Sequence, residues 1–374
     1  MSEMLYRPGL EGVVAGETAI STTEDGLLYR GYAIEDLVQC GDFEETAYLL
    51  LYGELPNSQQ LADLRRRLVQ NAQLTPEILT VLERLPANAP LMDVLRTGVS
   101  LLSHWDPDTA DNSPEANLRK AERLLAQAPM MLAAFYRRTR GLPPVLPSED
   151  LSFAGRVFEL LRGERPSPLH EQAMNASMVI YAEDEFTAST FTARVVCSTL
   201  SDLHSAVTAA IGALKGTWHG GANERVMEVL HEVGDPGHAE AWVRAALSQK
   251  RRIMGFGHRI YKDCDPRAEL LKPICRELAR VNRQDALEQT ADVIERIVRQ
   301  EKDLPANVDW PSARLYYYLG LPIELYTPLF VLSRITGWSA HAMEQLAHNR
   351  LIRPRGRYTG PTRRTWRPLT ERGR

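Results

Sequence analysis

From Glu44 to Asn349 the chain reads as one helical stretch after another, and almost no segment alternates as a strand does. Apolar residues recur every three or four positions between proline and glycine breaks, the spacing of a helix with one buried face. Gln59 to Asn71 carries leucines at 61, 64 and 68 on one side, and Asn57 or Ser58 can cap its start. Glu44 to Tyr52 is a short helix ended by Gly53 and Pro56. Asn112-Ser113-Pro114-Glu115 is a start signal of cap, first-turn proline and acid, and the helix it opens should stop or kink near Pro129. Pro143, Pro144 and Pro147 mark a loop. Further helices are expected over Asn223–Glu232, Ala239–Arg252, Pro266–Arg280, Gln284–Lys302, Ser312–Leu319 and Thr327–Asn349, the last opened by Pro328 and bent near Gly337. The opening, Gly9 to Tyr32, has no helical period and reads as short strands or a turn-rich arm. The pattern predicts an all-α fold.

The longest expected helix is Ser189 to Leu214, about 39 Å at ~1.5 Å per residue. Val195, Val196, Leu200, Leu203, Val207, Ala210 and Ile211 cover most of its girth, with small residues between them. That girth predicts burial, either in the core or between subunits. At 374 residues the chain exceeds one ordinary core, so a large and a smaller domain are expected. With 44% apolar and 25% charged residues, it has the balance of a soluble enzyme. No apolar run approaches a bilayer span, and MSEMLYRPGLEG lacks the apolar core of a secretory signal. The four cysteines show neither metal-ligand spacing nor a disulfide framework, which points to a reducing cytoplasm. Residues 350–374 carry nine Arg and one Glu, leaving −12 on the rest. Without aromatic interleaving, this basic tail reads as a strap or a source of anion-binding arginines rather than a nucleic-acid arm.

Three segments carry chemistry. In Gly255–Arg267, GFGHRIYKDCDPR, the glycines leave bare backbone for a ligand, His258 can donate to a carbonyl oxygen, and Arg267 can hold a carboxylate. That combination suits a 2-oxo acid; the alternative is a glycine turn with a surface histidine. In WHGGANERV, residues 218–226, His219 precedes a helix whose positive end favours neutral imidazole, able to steady an enolate oxygen. Its alternative is an incidental histidine in a turn. In Asn307-Val308-Asp309-Trp310, apolar neighbours should raise the Asp309 pKa and make it a better base. Its alternative is a helix-capping aspartate.

Taken together, these segments resemble the citrate synthase family, and the similarity runs nearly end to end. FEETAYLLLYGELP, ASTFTARVV, IGALKGTWHGGANE, GFGHRIYKDCDPR, NVDWPSARLYYYLGLP, LYTPLFVLSRITGW and NRLIRP follow in family order after an arm of GLEGVVAGETAIS and LLYRGYAIEDL. The resemblance implies a two-domain helical fold, with a large domain of residues 1–220 and 321–374 and a small mobile domain of 221–320. It implies that an acyl-CoA, acetyl-CoA first of all, is deprotonated and attacks oxaloacetate, after which the thioester is hydrolysed. Coenzyme A enters as cosubstrate, and no metal or permanent cofactor is implied. Asp309 matches the general base, His219 the donor to the thioester oxygen and His258 the residue polarising the ketone. Arg267 and Arg334 match carboxylate-binding arginines, with surface ion pairing the alternative for Arg334. Arg353 matches an arginine delivered across a homodimer interface. Gly255, Phe256 and Gly257 match the adenine loop and Lys262 a phosphate contact; Lys250, Arg251 and Arg252 either meet the CoA 3′-phosphate or form a solvated face. Neither nucleic acid nor membrane is implied as a partner.

The segment AEDEFTAST departs from the family. Asp184 stands where a substrate-binding histidine is usual, Thr187 where asparagine is common, and Trp218 replaces a smaller apolar residue. An ionised Asp184 near a dianionic substrate would repel it by roughly 4 kcal/mol at about 4 Å in an effective dielectric near 20. A protonated Asp184 acting as donor, a different 2-oxo acid, weak or lost activity, and an engineered change are the explanations. The same segment resembles that of 2-methylcitrate synthases, which use propionyl-CoA. A non-catalytic paralogue working through the dimer scaffold is the reading from a different class.

Overall fold

The structure, a computed structural model, describes residues 6–24 and 26–372. The first five residues of the MSEMLYRPGLEG segment, Asp25 and the last two residues of the basic tail lie outside the described residues. A small antiparallel sheet, β1 (Ser21–Thr22), β2 (Leu28–Tyr29) and β3 (Tyr32–Ala33), pairs Ser21 with Tyr29 and Leu28 with Ala33. Helices then follow: α1 (Ile34–Cys40), α2 (Phe43–Tyr52), α3 (Ser58–Asn71), α4 (Pro76–Arg84), α5 (Leu91–Leu102), α6 (Pro114–Thr139), α7 (Phe153–Arg162) and α8 (Pro168–Tyr181). The remainder are α9 (Ala188–Ser198), α10 (Leu203–Leu214), α11 (Ala222–Val233), α12 (Pro236–Ser248), α13 (Pro266–Val281), α14 (Asp285–Lys302), α15 (Asp309–Tyr318) and α16 (Tyr326–Ala347). The fold is all-α, as the spacing predicts. None of these helices is long and apolar enough to cross a membrane.

Several boundaries differ from expectation for local reasons. The long helix over 189–214 is two helices. Leu200 takes a left-handed φ of 66°, and Asp202 caps α10 by accepting from the Ser205 N–H at 2.9 Å. Leu200 is exposed and Val195 and Val196 are only half-buried, so α9 is not buried all round. Conversely, α6 runs through Pro129 without stopping; the ring costs one helical hydrogen bond, and the buried face around it holds the helix together. Helix α12 ends at Ser248, not Arg252, because Lys250 turns left-handed at φ 56°. Helix α15 begins at Asp309, three residues earlier than expected.

The most buried long helix is α16, which packs against α2, α6, α8, α9 and α10 and hides residues around nearly its whole girth. It lies so close to the end of α8 that a Cβ on Gly337 would overlap the Ala182 carbonyl and the Glu183 carboxylate. Glu183 is fully buried and accepts from Ser21 Oγ at 3.0 Å and from His341 Nε2 at 2.8 Å. Tyr29 Oη donates to the Glu183 carbonyl at 2.8 Å. The segment 182–187 is thus pinned between the small sheet and α16. Helices α11–α15 pack mainly on one another, with α13 beside α15 and α12 beside α14.

A Gly337→Ala change should therefore destabilise the fold by about 1–3 kcal/mol through overpacking. Urea denaturation measures this, and a variant of unchanged stability would show that α16 does not hold segment 182–187 by close approach.

Candidate active site

A buried carboxylate organises the loops of the cleft. Asp265 caps α13, accepting the Arg267 N–H on Oδ1 at 3.1 Å. It also takes Arg267 Nε on Oδ1 and Nη2 on Oδ2, both at 2.9 Å, and the Val308 N–H on Oδ2 at 3.0 Å. One side chain so joins the end of the glycine–histidine loop to the turn that carries Asp309. Asn307 adds stitches: its N–H donates to the Gly255 carbonyl at 2.9 Å and its Nδ2 to the Gly257 carbonyl at 3.0 Å. Its Oδ1 accepts the Asp309 N–H at 3.1 Å. Gly255 (φ 90°) is required because a Cβ there would strike the Trp310 ring and Val226. The sequence reading assigned that bare backbone to a ligand; the structure gives much of the space to Trp310, on which Phe256 also packs at 4.6 Å.

Asp309 is the first residue of α15, not its cap, and opens partly into the cleft. Burial pushes its carboxyl up to about 7, against the opposing pull of Arg267 and of Tyr181 Oη, which donates to Oδ1 at 3.2 Å. The apolar setting predicted from Val308 and Trp310 thus has its expected effect.

The two imidazoles are each held by hydrogen bonds. His219 Nε2 accepts the Ser189 N–H at 3.3 Å and the Ser189 hydroxyl at 2.8 Å, while Ser189 Oγ accepts Trp338 Nε1–H at 3.1 Å. Nε2 is therefore an acceptor and the ring proton sits on Nδ1. Burial, with Arg334 adding to it, pushes the pKa down to about 4, so the ring is neutral. A backbone N–H of the first turn of α9, that of Ser189, reaches it in addition to the start of α11 three residues on. His258 Nδ1 faces the N–H groups of Ile260 and Tyr261 at 3.2 and 3.3 Å, and its Nε2 faces Arg267 Nη2 at 3.3 Å, so donors approach both ring nitrogens. Burial and then Arg267 lower its pKa as well. Its ring stacks on Tyr261 at 4.9 Å.

The arginines differ in what they hold. Arg267 is buried, and besides Asp265 its Nη1 donates to Asp184 Oδ2 at 2.7 Å. Asp184 is thus not an isolated group: it is paired with a cation. Arg334 is fully buried and not a surface ion-pair residue. Its Nε donates to the Tyr181 carbonyl at 2.7 Å and Nη1 to Thr187 Oγ1 at 3.3 Å, while Nη2 has no partner among the described residues.

A single cleft of about 1430 Å³ is lined at once by Asp309, His219, His258, Arg267, Asp184 and Thr187, and by the Gly255–Gly257 loop. Lys250, Arg251, Arg252 and Lys302 stand along it, Arg251 already forked onto Glu232 at 2.7 and 2.6 Å. Trp218 also lines it, its side chain 93% exposed. Three candidates are not among its lining residues: Arg334, which sits behind Tyr181 and Thr187 of the lining, and Lys262 and Arg353. Lys262 Nζ donates to the His258 carbonyl at 3.1 Å. Arg353 lies on the exposed tail just after Ile352, whose N–H donates to Ser198 Oγ at the far end of α9 from Ser189. Nine residues of helix put that point about 14 Å from the Ser189 end. Sequence reasoning missed Asp265, Tyr181, Ser189 and Trp338 as individual contributors; only the spacing of DPR pointed at the first.

A family model described as "Citrate synthase, C-terminal domain" matches residues 9–355. Citrate synthase 2 of Bacillus subtilis (strain 168) is 46% identical over 366 residues, covering 97% of this chain and 98% of that protein. A 2-methylcitrate synthase of Shewanella oneidensis is 44% identical over 375 residues, 99% of each chain. The solved ternary complex of carboxymethyl coenzyme A and oxaloacetate with citrate synthase from the archaeon Thermoplasma acidophilum superposes with a TM-score of 0.92 at 32% identity, covering 98% of this chain and 99% of that one.

Replacing Asp265 by Ala leaves Arg267 short of its forked partner in a buried place, which should cost about 3–5 kcal/mol at neutral pH. Burial alone would raise the Asp265 pKa, but Arg267 foremost among its partners holds it below its ordinary value. Its contribution is thus present above the unfolded pKa, about 4, and lost as acid protonates the folded group. Denaturation of both proteins at neutral and acid pH should show a gap that narrows in acid. Equal stabilities at neutral pH would remove Asp265 from its organising role.

Proposed function

This chain belongs to the citrate synthase family and condenses an acyl-CoA with oxaloacetate; from that premise we propose that acetyl-CoA is its preferred donor and that Asp309, His219 and His258 carry the chemistry. The observation that supports this most is that one cleft is lined by a carboxylate poised near neutrality and by two neutral imidazoles. Asp309 takes the α-proton of the thioester, a task suited to a base whose pKa lies near 7. His219 donates from Nδ1 to the thioester oxygen as negative charge grows there. A neutral ring is the right donor, because its proton stays put while the oxyanion forms. The enolate carbon then attacks the oxaloacetate ketone, whose oxygen receives a hydrogen bond from His258. Water finally cleaves the thioester and releases CoA. Arg334, with a free Nη2 and no carboxylate partner among the described residues, is the natural anchor for a substrate carboxylate. The Gly255–Gly257 loop is assigned to the adenine, and Lys250 and Arg252 on the rim to phosphates; Lys262 would have to release the His258 carbonyl to join them.

Residues 221–320 are taken as the small domain closing over this cleft, a view supported by the mutual packing of α11–α15. Two copies form the working unit in this reading, since Arg353 of the same chain is tethered beyond the opposite end of α9. Half-buried apolar residues on α9, Val195 and Val196, offer surface for such a contact. Four free cysteines, two of them exposed, are compatible with a reducing cytoplasm. Propionyl-CoA is the second donor to weigh, because a 2-methylcitrate synthase is 44% identical over nearly the whole chain.

Asp309→Asn should lower CoA release with oxaloacetate by about 10²–10⁴-fold and abolish α-proton exchange of the acyl-CoA. Exchange at the wild-type rate in that variant would remove Asp309 as the base. In the wild type, the rate at low acyl-CoA should rise with pH through about 7, because the base must be ionised and burial raises its pKa. A rate flat from pH 5.5 to 8.5, on the order of three units spanning that pKa, would contradict this. The two acyl donors differ by one methylene, so acetyl-CoA should lead propionyl-CoA by about 10–200-fold in kcat/KM; the reverse order would make propionyl-CoA the preferred donor.

A further inference from the structure

We propose that Asp184 is a specificity-determining residue that occupies Arg267 in place of a substrate carboxylate. That end of the 2-oxo acid subsite then favours a neutral hydrogen-bond donor, such as a primary amide, over a second carboxylate. The inference rests on the reading above, in which His258 meets the ketone of the 2-oxo acid beside Arg267.

The argument starts from the different company of the two guanidiniums. Arg267 is gripped by two carboxylates of its own chain: Asp265 on Nε and Nη2, both at 2.9 Å, and Asp184 on Nη1 at 2.7 Å. All three side chains are buried. The group therefore carries a net −1 charge, although it contains the arginine. With Nη2 also meeting His258 Nε2 at 3.3 Å, the one N–H left over is on Nη1, beside the Asp184 carboxylate. Arg334 has only neutral acceptors, the Tyr181 carbonyl and the Thr187 hydroxyl, and Nη2 has none. The Arg267 edge of the cleft thus repels an anion, while a spare arginine N–H stands behind Tyr181 and Thr187 of the lining.

A carboxylate arriving at Arg267 must either displace Asp184 or lie beside it. Displacement leaves a buried carboxylate without its partner, and proximity puts two like charges in a poorly screened place. A primary amide meets neither cost. Its N–H can donate to Asp184, and its carbonyl oxygen can accept from the remaining Arg267 N–H. Asp184 lines the cleft together with Arg267 and His258, so it touches the space the substrate would fill. His258 Nε2 lies 3.3 Å from Arg267 Nη2, which puts the ketone-polarising group and this charged pair at one edge of the subsite.

Calorimetric titration of the full-length protein with oxaloacetate and with each of its two monoamides tests this without requiring turnover. The wild type should bind the better monoamide at least as tightly as oxaloacetate. Asp184→Asn removes the charge at constant shape and should shift the ratio of the two Kd values toward oxaloacetate by about tenfold or more. Asp184→His, which supplies a donor, should shift it the same way. Wild-type protein that prefers oxaloacetate to both monoamides by about tenfold overturns the proposal on its own. So does a ratio unmoved within about twofold in a folded Asp184→Asn or Asp184→His variant. CoA release is read separately: an enzyme that turns over while the ratio stays fixed keeps its family chemistry and loses this inference. A protein that shifts its ratio but never releases CoA does the reverse.

Discussion

The forked contact between Asp265 and Arg267 is the point on which the site depends. It is made inside a single turn of chain, at the start of α13, yet its second oxygen reaches the Val308 N–H. The Asp309 turn is therefore fixed to the same anchor as the His258 loop. A buried pair of this kind returns little net stability against well-packed apolar residues, because both partners lose their hydration. What it supplies here is position. Two loops separated by some 40 residues of sequence meet on one carboxylate, and Asn307 repeats the connection through backbone groups on either side.

Around that anchor, protonation states follow from burial and from which hydrogen bonds are already taken. Both imidazoles are lowered first by loss of hydration and then by an arginine, so each is neutral at physiological pH. Each also has one ring nitrogen occupied by backbone N–H groups, at α9 for His219 and in its own loop for His258. The remaining nitrogen of His219 carries the proton, while that of His258 meets Arg267 Nη2 at 3.3 Å. Asp309 is raised by the same loss of hydration that lowers the histidines. One physical cause, a dry cleft, thus sets a base and two neutral donors together.

How much of this was legible depended on whether the signal was local. The glycine–histidine segment, the Asp309 turn and the caps at Asn57 and Ser113 are short-range patterns, and the chain adopts them nearly where expected. Ser167-Pro168 and Thr75-Pro76 carry the same cap-then-proline signature as Ser113-Pro114, and α8 and α4 begin there, so those two helices were readable as well. The break between α9 and α10 was harder. Thr199-Leu200-Ser201-Asp202 contains no glycine or proline, and a leucine at positive φ is an uncommon choice that only the tertiary setting selects. Ser189 and Trp338 were beyond reach: about 150 residues separate them, and nothing in either segment says that the other fixes the tautomer of His219.

The same separation bears on the exchange of residues at 184. Asp309 feels burial, Arg267, Tyr181 and Asp265, and His219 feels burial and Arg334; Asp184 is absent from both sets. It acts on His258 alone among the three, where it opposes the push of Arg267. An acidic residue at this position therefore acts directly on the half that meets the ketone, and reaches Asp309 only through the arginine they share. Enolate formation and recognition of the 2-oxo acid are governed by different contacts, made by α8, α9 and α15 on one side and by the Asp184–Arg267–His258 edge on the other. Because Asp184 also tempers the positive charge beside His258, a change made for substrate choice is felt first at the electrophile.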